Sequence, residues 1–257
     1  MLLDYSFGET VLYGSETDDL WCAGCPFGKL HSPAPFDPEQ LVLLQYRPGE
    51  LRSAPAETLL IREDEPESQV LVLVTGWAAR SKLMPDGREI ILQLHLPGDL
   101  IGYTPALIGE PPHFSLYALT PITYQLLDRK RVAAVFDTAP ALARQLMLRL
   151  AHRQRIVEYW LMNLARRRVD QRLAWVLLVL FTHLRRLGLV KDGAFRFPLS
   201  QQQVADVVGA HVIHVNRVLG QFRQHGLVRM QNRQLHIDNL DGLRQAACAC
   251  GTVASRD

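Results

Sequence analysis

The sequence predicts an α+β fold, with a β-rich half followed by a helical half. Three observations carry this. From about Tyr46 to Leu127, turn-forming residues punctuate short runs of β-formers. After Asp128 the apolar period lengthens to three and four residues. Between Leu199 and Ile237, two short amphipathic helices precede an alternating hairpin.

In chain order, residues 1–35 read as an irregular arm in which Gly24, Pro26, Gly28, Ser32, Pro33 and Pro35 recur without a sustained period. A short helix is expected from Asp37, with Pro38 in its first turn. The β-domain is placed at 36–136. Its strands are Val70 to Thr75, Trp77 to Leu83, Glu89 to Leu96, Phe114 to Leu119 and Ile122 to Leu127. Asp86-Gly87 between two of them is a hairpin signal. Many short strands at this spacing indicate a sandwich, roll or barrel.

A long helix is placed at 137–165, opened by Pro140 and free of glycine. Leu142, Leu146, Leu150, Val157, Leu161 and Leu164 step by 4, 4, 7, 4 and 3, which makes one apolar stripe. The helix is too long for a small β-domain to cover, so the stripe is read as a dimer seam. A second helix, Asp170 to Leu187, is apolar on most sides and stops at Gly188.

The segment 199–227 carries the most information, within a domain placed at 166–240. Ser200 and Gln203 form a capping box, and Val204, Val207 and Val208 make a short apolar face. Gly209 permits a tight turn. His211 stands at the start of the next helix, where it is a poor cap compared with Ser or Thr. Val215, Val218, Leu219 and Phe222 form its inner face. Val212, Ile213, Asn216 and Arg217 then fall outside. Asn and Arg can each pair bidentately with a base edge, adenine and guanine respectively, and exposed Val212 and Ile213 suit thymine methyls. Ser200, Gln201, Gln202 and His211 are counted with the DNA-binding residues, and His214 is better placed for a phosphate than for a base. Val228 to Ile237 reads as a wing with Arg229 and Arg233 near the duplex. A helix-turn-helix with a wing predicts binding to double-stranded DNA. Residues 241–257 read as a tail.

Charge agrees with that reading. Residues 1–140 hold 10 basic and 19 acidic residues, net −9, and residues 141–257 hold 18 and 7, net +11. A basic half joined to an acidic one fits a polyanionic partner. The acidic N-terminus has no signal-peptide pattern, and the longest apolar run, Ala174 to Phe181, is too short for a bilayer. Four cysteines without an export signal point to a reducing cytoplasm.

Gly76-Trp-Ala-Ala-Arg, Pro85-Asp-Gly-Arg-Glu-Ile-Ile-Leu, Pro97-Gly-Asp-Leu-Ile-Gly, the long helix and His214-Val-Asn-Arg217 together resemble the CRP/FNR family of bacterial transcription regulators, over about residues 40–240. The His-Val-Asn-Arg form is similar to a proteobacterial subgroup. The resemblance implies a β-roll sensor of the cyclic-nucleotide-binding type (a double-stranded jelly roll), a dimerisation helix and a winged helix-turn-helix. It further implies a homodimer on a palindromic site, with RNA polymerase as a partner. Cyclic-nucleotide-binding members carry Gly-Glu after the Pro-Gly-Asp stretch and an Arg-Ser about ten residues on. Here those places read Gly102-Tyr103 and Pro111-Pro112-His113, so control by cAMP is not expected, while another ligand in the roll stays open. Oxygen-sensing members hold an iron–sulfur cluster on several cysteines. Here Cys22 and Cys25 lack a nearby third, and Cys248 and Cys250 lie in the tail, so no cluster, metal or other cofactor is expected and a redox role for Cys22 and Cys25 is the alternative. A cupin-like metal enzyme would need a His cluster in the roll, which offers only His95 and His113. The expectation is a DNA-binding regulator and not an enzyme.

Overall fold

The computed structural model describes residues 50–66 and 69–248. The arm, the helix expected from Asp37, Cys22, Cys25 and Cys250 lie outside the described residues.

The first half is two four-stranded antiparallel sheets face to face. β1 (Arg52–Ala54), β8 (Ile122–Leu127), β3 (Val70–Thr75) and β6 (Leu100–Ile101) form one sheet in that order. β2 (Leu59–Ile61), β7 (Ser115–Ala118), β4 (Ala78–Leu83) and β5 (Glu89–His95) form the other. Strand β3 is apolar from Val70 to Val74, and its first four residues are buried because both of its faces are covered there. Leu71 and Leu73 point between the sheets to Phe114, Leu116 and Ile122. Val70 and Val72 point the other way, to a helical layer. The β4–β5 hairpin pairs Leu83 with Glu89, and Gly87 at φ +80° with the Asp86 carboxylate accepting from Arg88 N makes the reversal between them.

The helical layer comprises α1 (Tyr103–Ile108), α2 (Arg129–Thr138) and the first part of α3 (Pro140–Arg166). Helix α2 was not anticipated. Asp128 caps it by accepting from Lys130 N at 2.8 Å. A one-residue break at Ala139 separates it from α3, where Pro140 takes the first position.

The second half is built on α4 (Val169–Arg186), whose Leu173, Trp175, Leu177, Leu178 and Leu184 are buried. Around it lie β9 (Ala194–Arg196), α5 (Gln201–Val208), α6 (Val212–Gln224), β10 (Val228–Gln231), β11 (Gln234–Ile237) and α7 (Leu240–Cys248). Strands β10, β11 and β9 form an antiparallel sheet in that order. Residues from 241 onward do not begin as a tail: α7 packs on α4 through Leu243, Ala247 and Cys248, all buried.

The core of this half does not end at its own elements. Trp77 and Leu96 of the roll are buried in it beside the α4 and α5 side chains, with Leu94 and Leu119 at its edge, and α5 runs against β5.

Candidate nucleic-acid interface

The reading head is α5, the turn at Gly209 and α6. Ser200 Oγ accepts from Gln203 N at 3.2 Å while Gln203 Oε1 accepts from Ser200 N at 2.8 Å, the reciprocal capping box. His211 is a better cap than its residue type suggests. Its Nδ1 accepts from Ile213 N at 3.3 Å, satisfying one of the exposed donors at the start of α6.

Gly209 is required twice over. Its φ is +67°, and a Cβ there would lie 2.5 Å from Leu164 Cδ2. The turn is thus seated on the end of α3. Arg172 of α4 holds it from the other side, donating from Nη1 to the Gly209 carbonyl at 3.0 Å, with its pKa lowered by burial. Sequence reasoning missed Arg172 and this use of Leu164, because both contacts bridge distant parts of the chain.

Packing decides what α6 presents. Val215, Val218, Leu219 and Phe222 are buried, which turns His211, Ile213, His214 and Arg217 outward. Ile213 is 69% exposed, a bare apolar side chain at the helix start. Two sequence assignments change. Val212 is half-buried and packs on the domain core, since it sits one step round the helix from Ile213. Asn216 is also half-buried. Its Nδ2 donates to Gln201 Oε1 at 2.8 Å, so it braces α6 against α5, and its buried Oδ1 has no hydrogen-bond partner among the described residues. Gln201 and Gln202 are exposed beside it. Arg217 is the exposed guanidinium nearest the start of the helix.

The wing turns on two residues, Asn232 at φ +51° and Arg233 at φ +58°, the pair of left-handed conformations that a tight hairpin needs. Both are exposed at its tip. Arg229 lies farther back and is engaged, its Nη2 3.2 Å from Asp238 Oδ1, which weakens its assignment as a phosphate contact.

The apolar stripe of α3 divides. Leu142 and Leu146 are fully buried against the chain's own roll, with Leu150 at that cluster's edge. They are core residues, correcting their placement in a dimer seam: the first turns of α3 cover the Val70 and Val72 face of β3. Val157, Leu161 and Leu164 are exposed, Leu161 by 61%. Met147, half-exposed and missed in the stripe, joins them. Read as 147, 150, 154, 157, 161 and 164, the steps are 3, 4, 3, 4 and 3, a heptad pattern.

Residues 171–246 match the Crp-like helix-turn-helix domain, and residues 51–139 match the cyclic nucleotide-binding domain. The chain thus carries the two domains of a CRP/FNR-type transcription regulator. It is 26% identical over 232 residues to the transcriptional activator protein anr of Pseudomonas aeruginosa, covering 90% of this chain and 93% of that one. It is 28% identical over 187 residues to a CRP-like cAMP-activated global transcriptional regulator of Mycobacterium tuberculosis, covering 72% and 82%. Among solved structures, FixK2 from Bradyrhizobium japonicum aligns with a TM-score of 0.68 at 27% identity, over 76% of this chain and 96% of that one. The regulator is a DNA-binding protein and not an enzyme. Among its described residues no group of His, Cys, Asp and Glu could hold a metal ion, and the cupin pair is split: His113 meets Arg80, while His95 meets Asp99. Among those residues no helix is long and apolar enough to cross a membrane.

Proposed function

We propose that the regulator acts as a homodimer, pairing through α3 and presenting two copies of α6 to a palindromic duplex whose half-sites lie about one helical turn apart. The observation that carries this is the heptad seam of Met147, Leu150, Gln154, Val157, Leu161 and Leu164, in which Leu150 is half-buried and the other five are exposed. An apolar row of this length is not left in water by a monomer. Gln154 places one polar residue in the seam, the device that fixes register between paired helices. Arg217 reads a guanine and Ile213 a thymine methyl in each half-site, with Asn216 holding α6 in place rather than leading the contact. Gln201, Gln202, His214 and Arg233 meet phosphates. Transcription control adds RNA polymerase as a partner.

The roll is the sensing half, and its signal is not cAMP. Tyr103 stands where the resemblance calls for Glu and is buried among the roll's own residues, and His113 stands in the stretch that lacks the Arg. Sedimentation of the full chain with a selected 30-base-pair site tests the dimer. Two chains per palindrome, with binding lost when one half-site is moved by five base pairs, is expected. A monomer that binds one half-site as tightly as the palindrome would overturn the proposal.

A further inference from the structure

On the face of the β4–β5 hairpin turned toward α3, the guanidinia of Arg80 and Arg153 have no carboxylate partner among the described residues. Arg80 and Gln93 are cross-strand neighbours, so their side chains leave the same face of the sheet. Gln93 Oε1 accepts from Arg153 of α3, which brings a second guanidinium beside Arg80. The Arg80 guanidinium lies 3.8 Å over the Phe114 ring with Nη2 2.9 Å from His113 Nε2, and its buried Nε has no hydrogen-bond partner. Buried Tyr103 on α1 faces the same cations: burial pushes its hydroxyl pKa up, and the Arg153 and Arg149 charges pull against that. His95, two residues beyond Gln93 on the same face of β5, is buried, with Nδ1 on Asp99 and Nε2 likewise lacking a partner.

The neighbouring carboxylates are engaged elsewhere. Glu63 holds Lys82, Glu89 accepts from Ser81, and Asp99 accepts from Leu96 N and meets His95. Burial first, and the nearby Arg153 second, push the Arg80 pKa down to about 10. Cations drawn partly out of water are ordinarily paired, because an unpaired one keeps its desolvation cost, and both of these guanidinia are half-buried. This pair of guanidinia has no carboxylate partner among the described residues.

We propose that this face binds a small organic anion bearing a carboxylate or phosphate group, held by Arg80, Arg153 and the Tyr103 hydroxyl. The inference rests on the roll being the sensing half. An oxyanion between the two guanidinia replaces their repulsion by charge-assisted hydrogen bonds. It also ties β4 to α3 at Arg153, four residues before Val157 of the seam, so occupancy bears directly on pairing.

The test is calorimetric titration of the full chain with succinate, inorganic phosphate and cAMP, each at constant ionic strength in sodium chloride. Saturable binding of succinate or phosphate, one per chain, is expected, and which of the two binds identifies the group recognised. Arg80→Met and Arg153→Met weaken it at least tenfold, while Arg88→Met, at the exposed hairpin tip, does not. If either variant loses its far-UV circular dichroism, Gln93→Leu replaces it, with at least a threefold loss expected. The proposal is overturned if neither anion binds, if both Arg variants bind as tightly as the parent chain, or if cAMP binds in preference. A gel shift on the same samples keeps the readings separate. Loss of DNA binding with anion binding intact counts against the proposed DNA reader alone, and the reverse against the anion site alone.

Discussion

The two halves of α3 both carry an apolar row at helical spacing, and the rows meet opposite fates. In the first, Leu142, Ala143 and Leu146 disappear into the roll. In the second, Val157, Leu161 and Leu164 stand exposed. Apolar periodicity states that a helix face needs cover, and it does not state what provides it. One 27-residue helix satisfies two surfaces in turn, and its drift relative to a straight stripe moves the apolar row from Leu146 to Met147 between them.

Substitutions can break that contrast. The largest expected effect is at Leu146→Ala, which opens a cavity in a packed core and costs about 2–5 kcal/mol in urea denaturation. Leu161→Glu acts on the other half. It is expected to leave the chain folded but monomeric at micromolar concentration in sedimentation, and to make the denaturation midpoint independent of protein concentration. An unchanged dimer would place the seam elsewhere.

The contact beyond the seam is tested by Gly209→Ala. The new Cβ meets Leu164 and the backbone is strained, so a loss of roughly 1–3 kcal/mol is expected. Leu164→Ala in the same chain should recover part of it, which separates the clash from the strain. Arg217→Ala should cost about 1–3 kcal/mol of DNA affinity per half-site and relax the preference at one base pair. Arg233→Ala at the wing should weaken all sequences alike and lower the salt slope by about one per half-site.

Acid tests the roll–reader junction. Burial lowers the pKa of His95, against the opposing pull of Asp99, and burial also lowers that of His183. A histidine whose folded pKa is depressed binds its proton more readily when unfolded. Stability should therefore be full above the unfolded value near 6.5 and fall below it, by up to about 1.4 kcal/mol per pH unit for each histidine. His95→Gln should flatten that dependence in melts between pH 7.5 and 5. An equally steep profile in the variant would assign the proton uptake elsewhere.

What the sequence made legible was local. The Ser200–Gln203 box, the Asp86-Gly87 reversal and the Val70–Thr75 strand are each written within a few residues, and each forms as read. Helix α2 was hidden because it opens on Arg129-Lys130-Arg131, against the helix dipole, and it forms through its Asp128 cap and the packing of Val132 and Val135. Helix α7 carries Gly242 in its first turn and depends on α4 for cover. In the reading head, Ile213 and Arg217 followed from helical phase. The Asn216–Gln201 bond spans 15 residues and the Arg172–Gly209 bond 37, distances over which no local pattern reports.

Trp77 and Leu96 reach from the roll into the core around α4. A fragment cut at the end of α3 would therefore lose two of its own core side chains and expose the surface they fill. The same holds for chimaeras. Moving this DNA-reading half onto another sensor requires carrying Trp77, Leu94 and Leu96 with it, so the transplantable unit is larger than the stretch of chain that touches DNA.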